Sequence, residues 1–157
     1  MRKYTSFLLL CVLLSACAKE PPTDENLRSV FAKERAAFEE IKTVLCALPA
    51  EQTVMLDPEW SKPAAGSNLK ERLYPLFRKV GASGVYYEGD CSFRLSIWSV
   101  GLAGGGDYKG ISYKPLPYWK GKVVEEPLDN FDRSSKEISF LSRSLGEDWF
   151  MYFHHWP

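Results

Sequence analysis

Histidine is scarce in this chain: His154 and His155 are the two present in 157 residues, and cysteine occurs four times, at positions 11, 17, 46 and 91. That scarcity bounds the chemistry. A zinc site built from Cys and His needs ligands close in sequence, and neither Cys46 nor Cys91 has such a neighbour two to four residues away. Adjacent strand residues point to opposite faces, so His154 and His155 do not share one metal directly. No metal and no cofactor is expected. Charge of one sign is missing too, since 20 Lys and Arg balance 20 Asp and Glu. Without a basic stripe, nucleic acid is a poor partner.

Phosphate-loop chemistry is absent as well. "GLAGGGDYKG" has no Gly-Lys-Ser or Gly-Lys-Thr step and its flanks read as strands, so hairpin or bulge glycines explain it better. No serine sits in a nucleophile-elbow pattern. No catalytic residue is assigned on these grounds. A long apolar run is the last thing missing. The first one, Phe7–Leu14, has eight residues. Those make a helix of about 12 Å against a hydrocarbon core of about 30 Å, too short to span.

What that run does have is context. Arg2 and Lys3 precede it and Ser15-Ala16 follow, the three parts of a secretory signal peptide. Leu14-Ser15-Ala16-Cys17 resembles the lipobox of bacterial lipoproteins. The resemblance implies a diacylglycerol on the Cys17 thiol, cleavage before Cys17 and acylation of the new amino group. Two or three acyl chains anchor a protein in effect permanently, where one would be marginal. The membrane, reached through this lipid, is thus an expected partner. In diderm hosts Ala18, rather than Asp, at the next position implies the outer membrane. The expected location is the cell envelope, facing the periplasm.

Three segments follow: 1–16 as lipoprotein signal peptide, 17–25 as lipidated cysteine and Pro-Pro-stiffened tether, and 26–157 as one domain. Removing residues 1–16 takes away Arg2, Lys3 and no acidic residue, leaving 141 residues with a formal net charge of −2. That length supports one core. Cys11 leaves with the signal peptide and Cys17 carries lipid, so Cys46 and Cys91 remain in an oxidising compartment. Two free thiols or half a metal site are the rival readings; a disulfide is the expectation. It would close a loop of about 45 residues and constrain the unfolded chain by roughly 4 kcal/mol.

Leu27, Val30, Phe31, Phe38, Ile41, Val44, Leu45 and Leu48 recur at helical steps and predict an amphipathic helix over 24–48, stopped by Pro49. "DPEWSKPAAGS" reads as loop. Asn68 and Glu71 look like a capping box ahead of a second helix with Leu69, Leu73, Leu76, Phe77 and Val80 on one face; Pro75 predicts a kink or break in it. Beyond Gly84 the period becomes two. Cys91, Phe93, Leu95 and Ile97 fall on one face, and Ser92, Arg94, Ser96 and Trp98 on the other. The C-terminus predicts a hairpin: Ile138–Leu145, a turn at Gly146-Glu147-Asp148, then Trp149–Trp156, apolar on both faces and so covered on both. The expected fold class is α+β, with N-terminal helices packed on one face of a small antiparallel sheet.

Two features bear on function. Tyr118 and Trp119 stand on the proline-stiffened "PLPYWKGK", where rigid aromatics suit sugar or peptide recognition or merely cover a sheet edge. Either histidine can pair in space with Asp129, Asp132 or Asp148 as a base. Ser99-Val100-Gly101-Leu102, Lys109-Gly110-Ile111-Ser112-Tyr113, Leu128-Asp129 and Trp149-Phe150-Met151-Tyr152 together resemble a group of uncharacterised bacterial envelope proteins. The resemblance implies a small sheet-based domain and brings no activity. The expected role is a binding or accessory module, of an assembly or inhibitor-like kind, with an envelope protein or glycan as partner. An envelope hydrolase using a His/Asp arrangement is the alternative, and a purely structural lipoprotein the third reading.

Overall fold

Thr23 caps the first helix: its hydroxyl accepts the Asn26 N–H at 3.2 Å. Helix α1 then runs Asp24–Lys33, acidic in its first turn and basic in its last, as the helix dipole favours. The computed structural model describes residues 20–50, 54–56, 68–101 and 105–157. The lipobox, the signal segment and all of "DPEWSKPAAGS" lie outside the described residues.

The single helix expected over 24–48 is two. At Glu34 the backbone leaves helical geometry (φ −102°, ψ 23°), and α2 resumes as Arg35–Cys46. The bend lets both apolar stripes reach one target. Phe31 of α1 and Phe38 of α2 meet the Trp149 ring, with centroids at 5.4 and 5.7 Å. Helix α1 also begins inside the segment read as tether, because Asp24 is buried in the domain.

Helix α3, Leu69–Val80, carries Pro75 without a break. Pro75 and Glu71 both lie on the exposed side, so water can solvate the carbonyl that the missing N–H leaves free. Leu73, Leu76, Phe77 and Val80 hold the other side in the core. Asn68 stands at the N-cap but makes no side-chain cap bond, so the expected capping box does not form.

Seven strands form one sheet among the described residues: β1 Val54–Leu56, β2 Gly84–Gly89, β3 Ser92–Val100, β4 Gly106–Tyr113, β5 Lys122–Val123, β6 Ser139–Gly146 and β7 Trp149–Trp156. Their order is β1-β2-β3-β4-β7-β6-β5. All neighbours are antiparallel except β5 and β6. A one-turn helix α4, Pro117–Lys120, and a 3-10 turn, Leu128–Asn130, sit between β4 and β6. The α+β class stands, with α1, α2 and α3 on one sheet face and the one-turn α4 on the other. No sequence periodicity announces β1 or β5, which are too short to carry a period.

The glycines between β3 and β4 serve the hairpin. A Cβ on Gly106 would sit 2.4 Å from the Val100 carbonyl oxygen, so the two strands approach more closely than any side chain permits. In β3 the expected alternation fails past Ser96. The β3–β4 register shifts between Ser96 and Trp98, and this bulge turns Trp98 to the helix-covered face, where it packs with Met151 and Phe153. The β6–β7 hairpin turns at Glu147 and Asp148, both at positive φ (50° and 66°), the backbone that suits right-twisted strands.

The expected disulfide is present. Cys46, at the end of α2, bonds Cys91 in the β2–β3 turn, with Cα atoms 4.4 Å apart. Cys91 lies in that turn at φ 60° rather than on the strand face where alternation put it.

Candidate functional site

Alternation along β7 divides its side chains between two environments. Trp149, Met151, Phe153 and His155 face the helices, whereas Phe150, Tyr152, His154 and Trp156 face the other way. The face away from α1, α2 and α3, free of long helices and called helix-free below, carries only the one-turn α4 and is only partly covered. Trp119 of α4 and Phe140 of β6 fold over His154: Trp119 stacks on the imidazole at 5.7 Å and 23°, and Phe140 meets it edge-on at 4.8 Å. Beside them a groove of about 330 Å³ stays open, reaching Met55 of β1 and Tyr86 of β2.

Arg94 lies in that groove. Its guanidinium is 3.8 Å from the centre of the Trp119 ring and 4.9 Å from that of Tyr86, a cation sandwiched between two π faces. One terminal nitrogen donates to Glu88 at 3.0 Å, and that carboxylate also accepts from the Ser92 hydroxyl. Burial pushes the Glu88 carboxyl above the ordinary range, although the Arg94 charge pulls the other way. The Arg94 Nε is buried and meets no acceptor in the protein.

His154 carries no charge here. Burial, with help from the nearby Arg94 cation, drives it down to about 3. Its Nε2 contacts the Trp119 carbonyl at 2.9 Å. A carbonyl only accepts, so Nε2 holds the proton and Nδ1 keeps its lone pair. Tyr152 is likewise fixed as a donor, since burial raises its hydroxyl to about 12. It bonds the Leu95 carbonyl at 3.2 Å, reaching over Gly110 of β4. A Cβ on Gly110 would fall 2.0 Å from that same oxygen, so this crossing requires glycine.

The opposite face holds two charged clusters. His155 Nδ1 meets Asp107 Oδ1 at 2.6 Å, and its Nε2 donates to the Ser135 carbonyl at 2.8 Å. Burial alone would lower this histidine, but those two bonds and the Asp107 charge raise it. Arg133 Nε donates to the other Asp107 oxygen at 2.6 Å. Nearby, the nearly buried Lys109 Nζ pairs with Asp24 at 2.9 Å and also with Asp129. Asp24 in turn accepts the Leu128 N–H at 2.9 Å, which fastens the start of α1 to the sheet and the 3-10 turn.

Of the residues singled out from sequence, Cys46 and Cys91 meet, and Cys17 lies outside the described residues. Trp119 lines the groove. Tyr118 stands beside it, 61% exposed, its ring against Trp119 and Phe140. The histidines do face opposite ways, but neither pairs with Asp129, Asp132 or Asp148; the partner of His155 is Asp107. Both His155 nitrogens are engaged and the ring is buried, which leaves it no lone pair for proton abstraction. Sequence reasoning did not single out Arg94, Tyr86, Tyr108 or Phe140 as site residues. Their signal was alternation itself: once β3 is set with Phe93 and Leu95 inward, Arg94 must face out. No three of His, Cys, Asp and Glu gather as a metal set among the described residues, and no helix among them is long and apolar enough to cross a membrane. Set against protein-family models, curated proteins and solved structures, the chain matches none.

Proposed function

We propose that this chain is an envelope lipoprotein, anchored through Cys17, whose domain works as a binding or accessory module of an assembly or inhibitor-like kind. The observation that carries the reading is the aromatic groove on the helix-free face, built around Arg94 and left open by Trp119 and Phe140. Three of its rings stay accessible: Tyr86, Tyr108 and Trp156 are 37, 42 and 38% exposed. Rings held on strands lose little freedom on binding, which is where contact area becomes affinity. The disulfide agrees with an oxidising compartment.

The tether favours the same reading. Glu20 and Pro21 line a hollow on the helix-covered face, beside Asp129 and Phe131. Cys17 and Glu20 are three residue steps apart, a reach of about 10 Å at full extension. A lipid on Cys17 would hold the helix-covered face near the bilayer and leave the groove turned away from it. An envelope hydrolase finds less support, because His155 offers no free nitrogen and His154 has no carboxylate partner.

Two experiments test this. Metabolic labelling with a fatty acid should mark the wild-type chain and not Cys17→Ser; equal labelling would remove the anchor. Affinity capture from a detergent-solubilised envelope should enrich one component with the wild-type chain and lose it with Tyr108→Ala. Capture indifferent to Tyr108→Ala would remove the groove from the function.

A further inference from the structure

We infer that the groove on the helix-free face takes a neutral saccharide, an inference that rests on the groove-binding reading above. The argument begins with charge. Among the described residues lining the groove, Arg94 is the one formal charge, and Glu88 answers it at 3.0 Å. No spare cation remains to hold an anionic ligand. A cationic ligand is disfavoured for another reason. The space between Tyr86 and Trp119, where an ammonium would sit, is already filled by the Arg94 guanidinium.

Hydrogen-bonding geometry separates a sugar from a peptide. The groove lies mainly over β2, β3, β4, β7 and β6, whose main-chain groups are spent on ladder bonds to their neighbours. A bound peptide satisfies its own amides best at a free strand edge. What the groove offers comes from side chains: the hydroxyls of Ser96, Ser99 and Tyr108, and the His154 Nδ1 lone pair. Donors and acceptors scattered among ring faces suit a pyranose. Its C–H face is electropositive and rests on the negative face of an aromatic ring, while its hydroxyls radiate to the rim. About 330 Å³ is at the small end of ligand sites, fit for a short oligosaccharide or the end of a longer one.

The test uses the full-length chain in a detergent whose head group is not a sugar. It is titrated with chitotetraose, cellotetraose and maltotetraose, and separately with tetragalacturonate and a random hexapeptide pool. Indole fluorescence and saturation transfer to ligand protons are read. Saturable binding of a neutral tetrasaccharide is expected, weakened about tenfold or more by Tyr108→Ala and by Tyr86→Ala. Lys79→Ala, on the exposed side of α3, should leave it unchanged. Tighter binding of tetragalacturonate than of every neutral sugar would overturn the inference. Peptide binding that Tyr108→Ala abolishes, with no sugar bound, would overturn the saccharide and keep the groove. Binding by no probe overturns the saccharide, and capture insensitive to Tyr108→Ala would then take the groove reading with it.

Discussion

Arg94 and Trp119 lie 3.8 Å apart, guanidinium over ring, and the pair joins β3 to α4 across the helix-free face. Because the same guanidinium neutralises Glu88, whose side chain is 4% exposed, Arg94 is also structural. Arg94→Met should cost about 3–5 kcal/mol, the penalty for stranding a buried charge. The double variant Glu88→Leu/Arg94→Met should recover much of that loss, because no charge is then left unpaired. Urea unfolding of the two singles and the double decides: strictly additive costs would mean that the pair is not coupled.

His154 and His155 predict opposite pH dependences from adjacent positions. His154 sits at about 3 in the fold against an ordinary 6.5. The unfolded chain takes up its proton as pH falls below 6.5 while the folded chain does not. Stability present above 6.5 is therefore lost between there and about 3, by a few kcal/mol. His155 is raised, so its contribution is complete below the unfolded value and fades as pH rises through the folded one. Asp107, Arg133 and Asp132 are the charged groups around it. Unfolding free energy measured across pH should lose part of its acid slope in His154→Gln and part of its slope just above pH 6.5 in His155→Gln. Matching profiles in the two variants would contradict this assignment.

Gly110 supports a third prediction. An alanine Cβ there would lie 2.0 Å from the Leu95 carbonyl oxygen and 2.9 Å from the Tyr152 hydroxyl. The first neighbour is main chain and cannot turn aside. Gly110→Ala should therefore cost more than about 3 kcal/mol, well beyond ordinary glycine replacement in a strand. Adding Tyr152→Phe should not rescue it, since the backbone clash survives removal of the hydroxyl. Rescue in thermal melts would assign the clash to the side chain instead.

How much of this was legible in the sequence depends on the length scale of each signal. Stripes such as Phe38, Ile41 and Leu45, or Trp149, Met151 and Phe153, repeat often enough to announce helix and strand. The disulfide followed from elimination within a compartment. Single-residue departures carried no period: the bend at Glu34, the bulge that turns Trp98 inward and the short edge strands β1 and β5. Trp119 was visible as an aromatic on a stiff loop. Its neighbours Arg94 and Tyr86 come from strands that only the folded register brings beside it, and so did the pairing of His155 with Asp107.

Lys109 and Asp24 make the last prediction, at the start of α1. Lys109 Nζ is 2.9 Å from Asp24 Oδ1, and the two side chains are 2 and 5% exposed. Arg143, 3.4 Å from the other Asp24 oxygen, is the remaining cation there. Lys109→Met should destabilise by about 3–5 kcal/mol, since Arg143 alone is more exposed and farther away. The loss should be local first, because this ion pair holds the beginning of α1 while the main core under α2 and α3 is made elsewhere. Hydrogen exchange should accordingly quicken at residues 27–33 before it does at Leu95 and Ile111. Uniform quickening would mean that the Asp24 latch is part of the global folding unit, tied to the whole sheet rather than to the first helix alone.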